Sequence, residues 1–259
     1  MSKTIDVFLL TESRYEHPTD IDWYVQQILT EDGLVQRALE KRGCRVQRVD
    51  WNRADVDWAS AKCGLFRTTW DYFDRYPTFC AWLDRVEPLL PLINSAFLAR
   101  WNTDKHYLKD LEEAGVHIPP TLIVEPGDTR TLAELHTTTG WSKTVLKPAV
   151  SGAGRHTYLL EEGNRNEHET IYRELIADEA MLLQPFQDDV VQTGELALMV
   201  VDGAVTHAVK KIAKSGDFRV QDDFGGTVHA HTPTEEEIRF AEAAGRACPE
   251  EPLYARVDI

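Results

Sequence analysis

The rhythm of the first ninety residues limits the fold most: short apolar runs alternate there with amphipathic stretches. Residues 5–10, 45–49, 63–67 and 89–93 read as strands. Residues 34–39, led in by 30–33 and closed by Gly43, read as a helix, as do 78–86. Strands joined through helices by short links pair in parallel, with the helices covering the sheet. The expected class is therefore α/β, with a Rossmann-like first domain over residues 1–95. Ligands of such sheets collect beyond the carboxyl ends of strands, which singles out Arg67 and residues 11–14, Arg14 among them.

The rhythm changes near Asn94. A helix is expected over 105–114, ending at Gly115, followed by strands at 122–124 and 144–147. A loop at 151–154 leads to a returning strand at 156–160, a helix at 170–176 and a strand at 181–185. Residues 195–201 and 204–211 read as a hairpin turned by Asp202-Gly203. Thr234, with Glu237 three residues on, marks the start of a helix over 234–247, and 254–259 is a last strand. The whole is α+β, and no internal repeat or low-complexity segment interrupts it.

A formal charge of −15 argues against non-specific nucleic-acid binding, which needs clustered Lys and Arg. An anionic small ligand is still compatible, since a few local cations outweigh a distant acidic surface. No apolar run reaches the ~18 residues of a membrane span, and the first residues lead directly into a strand rather than a leader. The expectation is a cytoplasmic protein that avoids membranes. Cys44, Cys63, Cys80 and Cys248 stand far apart, so neither zinc nor a disulfide framework is expected. His229 and His231 alternate as in a strand and lack a spaced third metal ligand.

Chemistry concentrates in Thr144-Val145-Leu146-Lys147-Pro148-Ala149-Val150-Ser151-Gly152-Ala153-Gly154-Arg155. A lysine closing an apolar strand is costly unless it meets an anion. The small residues Ser151, Gly152, Ala153 and Gly154 expose backbone N–H groups suited to phosphate. A polar hairpin turn with a solvated lysine is the alternative. A Walker loop is excluded, because no Gly-Lys-Ser/Thr follows and no helix opens there.

Taken with five further segments, this stretch resembles the ATP-grasp ligases. Lys105, in Trp101-Asn102-Thr103-Asp104-Lys105, looks like their first phosphate-binding lysine. Lys147 with its glycine loop resembles the second lysine and the mobile lid. Met181–Pro185 with Phe186 is similar to the strand and hinge that hold adenine, through Gln184, Pro185 and Phe186. Glu195, after Gly194, looks like the ribose ligand. Arg219 with Phe224-Gly225-Gly226 is similar to the basic residue and loop of the glutathione synthetase branch. Arg256-Val257-Asp258 matches the Arg-x-Asp strand of D-alanine–D-alanine ligases.

The resemblance implies a pre-ATP-grasp domain over 1–95 and a two-lobed ATP-grasp domain over 96–259, its lid at about 125–182. It also implies ATP and magnesium as cofactors, with Asp258 as the metal carboxylate and Arg256, Arg219 and Lys211 as catalytic cations. ATP-grasp relatives carry a second metal-binding acid on the strand after Arg-x-Asp. This sequence ends at Ile259, so a shortened C-terminal lobe with an incomplete metal set is expected. Weak turnover is expected with it.

Asp20-Ile21-Asp22-Trp23-Tyr24, Val49-Asp50-Trp51 and Arg67-Thr68-Thr69-Trp70-Asp71-Tyr72 resemble the ATP-grasp subgroup that includes the cyclo-ligase of D-cycloserine biosynthesis. That enzyme closes O-ureido-D-serine into a ring. The implied reaction makes an acyl phosphate, which a nitrogen then attacks. The implied partners are an amino-acid-like small molecule and, as an assembly, a homodimer. Arg67 is the candidate for the substrate carboxylate, with Arg14 nearby; a structural ion pair of Arg67 to Asp71 or Asp74 is the alternative. Two other functions stay open: an intermolecular ligase of the glutathione synthetase type, and an ATP-binding module without turnover.

Overall fold

Strand β1 (Ile5–Thr11) has five consecutive buried residues from Val7 to Thr11, as expected where both faces of a strand are covered. A computed structural model describes residues 4–220 and 224–259 of the chain. These form two compact units, Met1–Arg100 and Trp101–Ile259.

In the N-terminal unit, β1 leads through α1 (Ser13–Glu16) and α2 (Trp23–Glu40) to β2 (Val46–Asp50), then β3 (Ala61–Thr68), α3 (Tyr76–Val86) and β4 (Leu92–Ile93). The sheet order is β2-β1-β3-β4, with every pairing parallel. Phe8, Trp51, Trp58, Phe79 and Trp82 fill its core. The expected helix at 34–39 is only the second half of α2. Asp22 caps α2 by accepting from the Val25 N–H, so residues 30–33 lie inside it. The face of α2 also differs from the apolar reading: Leu34 is exposed, while Asp32 is 2% exposed. Strand β4 is shorter than expected because Leu89 and Leu90 donate to the Val86 carbonyl and extend the end of α3.

Helix α4 (Ala96–Thr103), unforeseen in the sequence, precedes α5 (Tyr107–Glu113). The expected helix at 105–114 starts late because the Lys105 N–H donates to the Ala149 carbonyl rather than along a helix. Then follow β5 (Leu122–Val124), α6 (Leu132–Thr139), β6 (Thr144–Pro148), β7 (Tyr158–Leu160), α7 (Arg165–Asp178) and β8 (Met181–Pro185). These strands form an antiparallel sheet ordered β5-β8-β6-β7. Strand β7 starts two residues later than expected, since Arg155 N–H turns back to the Gly152 carbonyl. Helix α6 was missed despite a full capping box between Thr131 and Glu134 and a left-handed Gly140 at its end.

A short α8 (Asp188–Gln192) leads to β9 (Glu195–Val201), β10 (Ala204–Ile212), β11 (Thr227–His231), α9 (Glu235–Arg246) and β12 (Tyr254–Asp258). This second antiparallel sheet is ordered β11-β10-β9-β12. Thr234 and Glu237 form a capping box at the start of α9. Gly194, ahead of β9, has φ +91°, and a Cβ there would sit 2.5 Å from the Lys211 carbonyl oxygen. Only glycine fits that approach. It sets Glu195 opposite Lys211 in the β9–β10 register.

Candidate active site

On β6, Thr144, Leu146 and Pro148 are buried. The period of two turns Val145 and Lys147 to the opposite face, where both line a cavity of about 510 Å³ within the C-terminal unit. That volume lies within the ~300–1,000 Å³ of small-molecule sites. The Lys147 ammonium has no hydrogen bond or ion pair among the described residues. Burial pulls its ammonium below the usual lysine range, with Glu195 opposing. Lys105 lines the same cavity. Burial first, then repulsion from Lys147, lowers it to about 8, while Asp104 works the other way. Its ammonium donates to the carbonyls of Ser151, at 2.6 Å, and Ala149, at 3.3 Å. No carboxylate forms a salt bridge with either lysine among the described residues.

Ser151, Gly152, Ala153 and Gly154 line one wall of the cavity. Ser151 Oγ donates to the Arg155 carbonyl at 2.9 Å, and the Arg155 guanidinium is fixed by Glu179 at 2.9 and 3.0 Å. A Cβ on Gly154 would come within 3.3 Å of the Phe224 ring. Arg219 lies over that ring, 3.7 Å from its centroid, and pairs with Asp217 at 2.7 Å.

Part of the cavity lining is apolar. Gln184, Pro185 and Phe186 stand there, beside Val190 and Phe218. Gln184 Nε2 donates to Thr121 Oγ1 at 2.7 Å, and Phe186 meets Phe218 edge-to-face at 5.9 Å. The Lys143 ammonium sits 4.2 Å from the Phe186 ring centroid. A flat, neutral ring with polar edges suits this part, and a polyanion suits the lysines.

Glu195, Arg256 and Asp258 complete the wall. Lys211 stands behind it and reaches Glu195 at 2.8 Å and Asp258 at 3.6 Å. Arg256 Nε and Nη2 donate to the two Asp258 oxygens, each at 2.9 Å or more. No group of three His, Cys, Asp or Glu able to hold a metal occurs among the described residues. Magnesium binds through one or two carboxylates together with phosphate oxygens, and Asp258 on the cavity wall fits that mode. His229 and His231 lie on β11, bonded to Thr227 and Glu237 respectively.

The structure thus brings thirteen of the candidate residues onto one cavity and places Lys211 one contact behind it. Pro119, Val145, Thr157, Gln187, Val190, Phe218 and Val220 also line it and were not foreseen. Only Val145 carried a usable signal, two residues before Lys147 on the same strand.

Arg14 and Arg67 belong to the N-terminal unit. Arg67 Nε donates to Asp32 at 3.0 Å and Nη2 to Glu31 at 2.5 Å. The alternative pairing with Asp71 or Asp74 is therefore corrected: the partners come from α2. Asp71 instead accepts from Trp51 Nε1 at 2.7 Å and from Arg75. Among the described residues Arg14 donates only through Nε, to Glu12 at 2.5 Å, and its side chain is 65% exposed.

Residues 7–94 match the sequence profile described as the D-cycloserine synthetase DcsG N-terminal domain, and residues 107–255 that of the prokaryotic glutathione synthetase ATP-grasp domain. The chain is 30% identical to the cycloserine biosynthesis protein DcsG of Streptomyces lavendulae, over 83% of this chain and 71% of that protein. It is 26% identical to a glutathione synthetase of Thermosynechococcus vestitus, over 91% of this chain and 66% of that protein. The crystal structure of D-cycloserine synthetase DcsG superposes with a TM-score of 0.81 at 27% identity, covering 97% of this chain and 85% of that one. The D-alanine–D-alanine ligase of Bacillus anthracis superposes at 0.66 and 15% identity, covering 98% of this chain and 82% of that one, which speaks to the fold alone. Among the described residues no helix is long and apolar enough to cross a membrane.

Proposed function

Since this chain belongs to the ATP-grasp carbon–nitrogen ligases, with the N-terminal domain of the D-cycloserine synthetase group, we propose that its cavity holds ATP and that the ligation closes a ring within one amino-acid-like substrate. The observation that carries the nucleotide reading is the pair Lys105 and Lys147, two half-buried ammonium groups on one cavity with no carboxylate partner among the described residues. Desolvated cations in that state favour an anion strongly.

In this reading Lys105 and Lys147 hold phosphate oxygens beside the loop from Ser151 to Gly154, and Arg219 supplies a third cation from its platform on Phe224. Gln184, Pro185 and Phe186 hold the adenine, and Glu195 the ribose. Bound ATP supplies the phosphoryl group that turns the substrate carboxylate into an acyl phosphate. Such a reaction requires no protein nucleophile; the part of the chain is orientation and charge stabilisation. Asp258 would hold magnesium, a role that requires it to exchange part of its Arg256 contact for the ion. Arg256 is then placed to stabilise oxygen charge on the activated carboxyl, and Lys211 to keep Glu195 and Asp258 in register. In the N-terminal unit, Arg67 is engaged by α2, whereas Arg14 bonds Glu12 through Nε; of the two candidates for a substrate carboxylate, Arg14 is the less engaged. A cytoplasmic setting accords with the need for ATP.

Ring closure rests on the 30% identity to the DcsG protein over most of the chain; the glutathione synthetase relative favours condensation of two molecules as the second reading. Incubation with ATP, magnesium and O-ureido-D-serine tests both, with phosphate release and product mass as readouts. The proposal expects a cyclic product in which one carboxyl oxygen has left with the phosphate and the carbamoyl group has been released by water as carbon dioxide and ammonia. Phosphate release only when a second amino acid is added, with a condensed product, would replace it by the second reading.

A further inference from the structure

Ala153 and His156, neither of them glycine, adopt left-handed backbone beside the cavity, at φ +49° and +48°, with Gly154 between them at φ +69°. Such backbone is costly for a residue bearing a Cβ and persists only where its surroundings impose it. What it yields is a row of donors. The N–H groups of Gly152, Ala153 and Gly154 donate to nothing among the described residues, and the three residues line the cavity. Successive unbonded N–H groups around left-handed residues form a concave seat for an anion.

This loop is held at both ends, by different chemistry. At its start the Lys105 ammonium donates to the Ser151 carbonyl at 2.6 Å. A phosphate competes for the same protons, so that contact weakens as the site fills. At its end the Arg155 guanidinium meets the Glu179 carboxylate through both terminal nitrogens, at 2.9 and 3.0 Å. Arg155 stands between the two left-handed non-glycine residues, and its N–H turns back to the Gly152 carbonyl at 2.9 Å.

Glu179 is a firm anchor. It closes α7, whose Tyr172 and Ile176 lie in the buried core. The next residue, Ala180, accepts from the Ala149 N–H at 2.8 Å, which ties the same segment to the approach of the loop. The two charged side chains are 25% and 26% exposed. Exposed ion pairs contribute little as a rule, but a bidentate pair fixes direction as well as charge.

We infer that Arg155 and Glu179 are positioning residues for phosphate: their two-pronged contact holds Ala153 and Gly154 left-handed, and so keeps three N–H groups open, once phosphate competes for Lys105. The inference rests on the nucleotide reading for its ligand. The clamp itself belongs to the empty chain and is tested there first.

Trypsin cuts after arginine where the chain opens locally, at a rate set by the open population. In the ligand-free full chain, release of the fragment ending at Arg155 is expected to be at least about tenfold faster in Glu179→Ala than in the parent. Nucleotide binding is the second readout. A non-hydrolysable ATP analogue reaches the loop through its phosphates, whereas adenosine has none. Glu179→Gln removes a negative charge, so electrostatics alone predicts tighter binding of the analogue. The clamp predicts the reverse, about tenfold weaker, with adenosine unchanged. Arg155→Lys, which keeps the charge and loses the fork, should match it. The double variant should lose no more than either single one, because all three lack the same contact.

Unchanged trypsin release, unchanged or tighter analogue binding by Glu179→Gln, or equal losses for analogue and adenosine with a lower melting temperature would overturn the inference. A parent that binds the analogue no more tightly than adenosine would overturn the nucleotide reading and the phosphate role together, while the trypsin result still decides the clamp.

Discussion

One set of cations in the N-terminal unit and one pair in the C-terminal unit are treated in opposite ways. In the N-terminal unit, Asp32 on α2 receives Arg48 from β2 at 2.9 Å and Arg67 from β3 at 3.0 Å, the two strands that flank β1. Arg53 is held by Glu16, and Lys62 by Asp6. In the C-terminal unit, Lys105 and Lys147 line a cavity with no carboxylate bonded to either among the described residues. A paired buried cation ties elements together, whereas an unpaired one lowers stability until an anion arrives. The difference separates residues that build from residues that bind, though both sets look alike in sequence.

Breaking the paired set should give the largest effect. Asp32→Ala leaves Arg48 with only the Tyr15 carbonyl and the Thr11 hydroxyl, and Arg67 with only Glu31, although their side chains are just 13% and 18% exposed. The expected loss is about 3–5 kcal/mol of stability, read by chemical denaturation, with nucleotide affinity retained in whatever fraction stays folded. A loss below about 1 kcal/mol would show that the network is ornamental.

The unpaired set should show itself through pH. Lys105 titrates at about 8 in the fold against 10.5 ordinarily. Between those values the unfolded chain keeps a proton that the folded chain has lost. Unfolding then takes up a proton, and stability rises with pH in that window. Below pH 8 both states are charged, and burial of that charge counts against the fold. Phosphate binding needs the protonated form, so ATP affinity should be level up to about pH 8 and fall above it, by at most about tenfold per unit for one proton. Titrations and melts from pH 7.5 to 9.5 should give opposite slopes, and Lys105→Met should flatten both. Parallel slopes would contradict the assignment. The smallest effect belongs to Lys62→Ala. This exposed partner of Asp6 should change stability by under about 0.5 kcal/mol, measured in the same denaturation assay.

The cavity was more legible in the sequence than the N-terminal unit's polar core. Lys147 stands out because it ends an apolar strand and meets a run of small residues, both local facts. Asp32 was hidden by its neighbours. Gly33 and Thr30 suggested a lead-in to a helix, and Leu34 suggested its buried face, yet tertiary pairing with Arg48 and Arg67 turned the helix so that the aspartate went inside. The Arg67 partners were invisible for the same reason, since β3 and α2 meet only in the folded chain. Phe218, Val190 and Pro119 reach the cavity from segments with no periodicity to read. Arg256 and Asp258 could be seen as a motif, but not their mutual hydrogen bonds.

Lys147 offers the most direct test. The chain and its Lys147→Met variant are titrated calorimetrically with a non-hydrolysable ATP analogue at pH 7.5, and both are melted without ligand. The account predicts that the variant binds more weakly by about 1.5–3 kcal/mol while melting no lower than the parent, because it removes a desolvated charge that has no ion-pair partner among the described residues. Unchanged affinity, or a fall in melting temperature with affinity intact, would mean that Lys147 supports the fold and does not wait for phosphate.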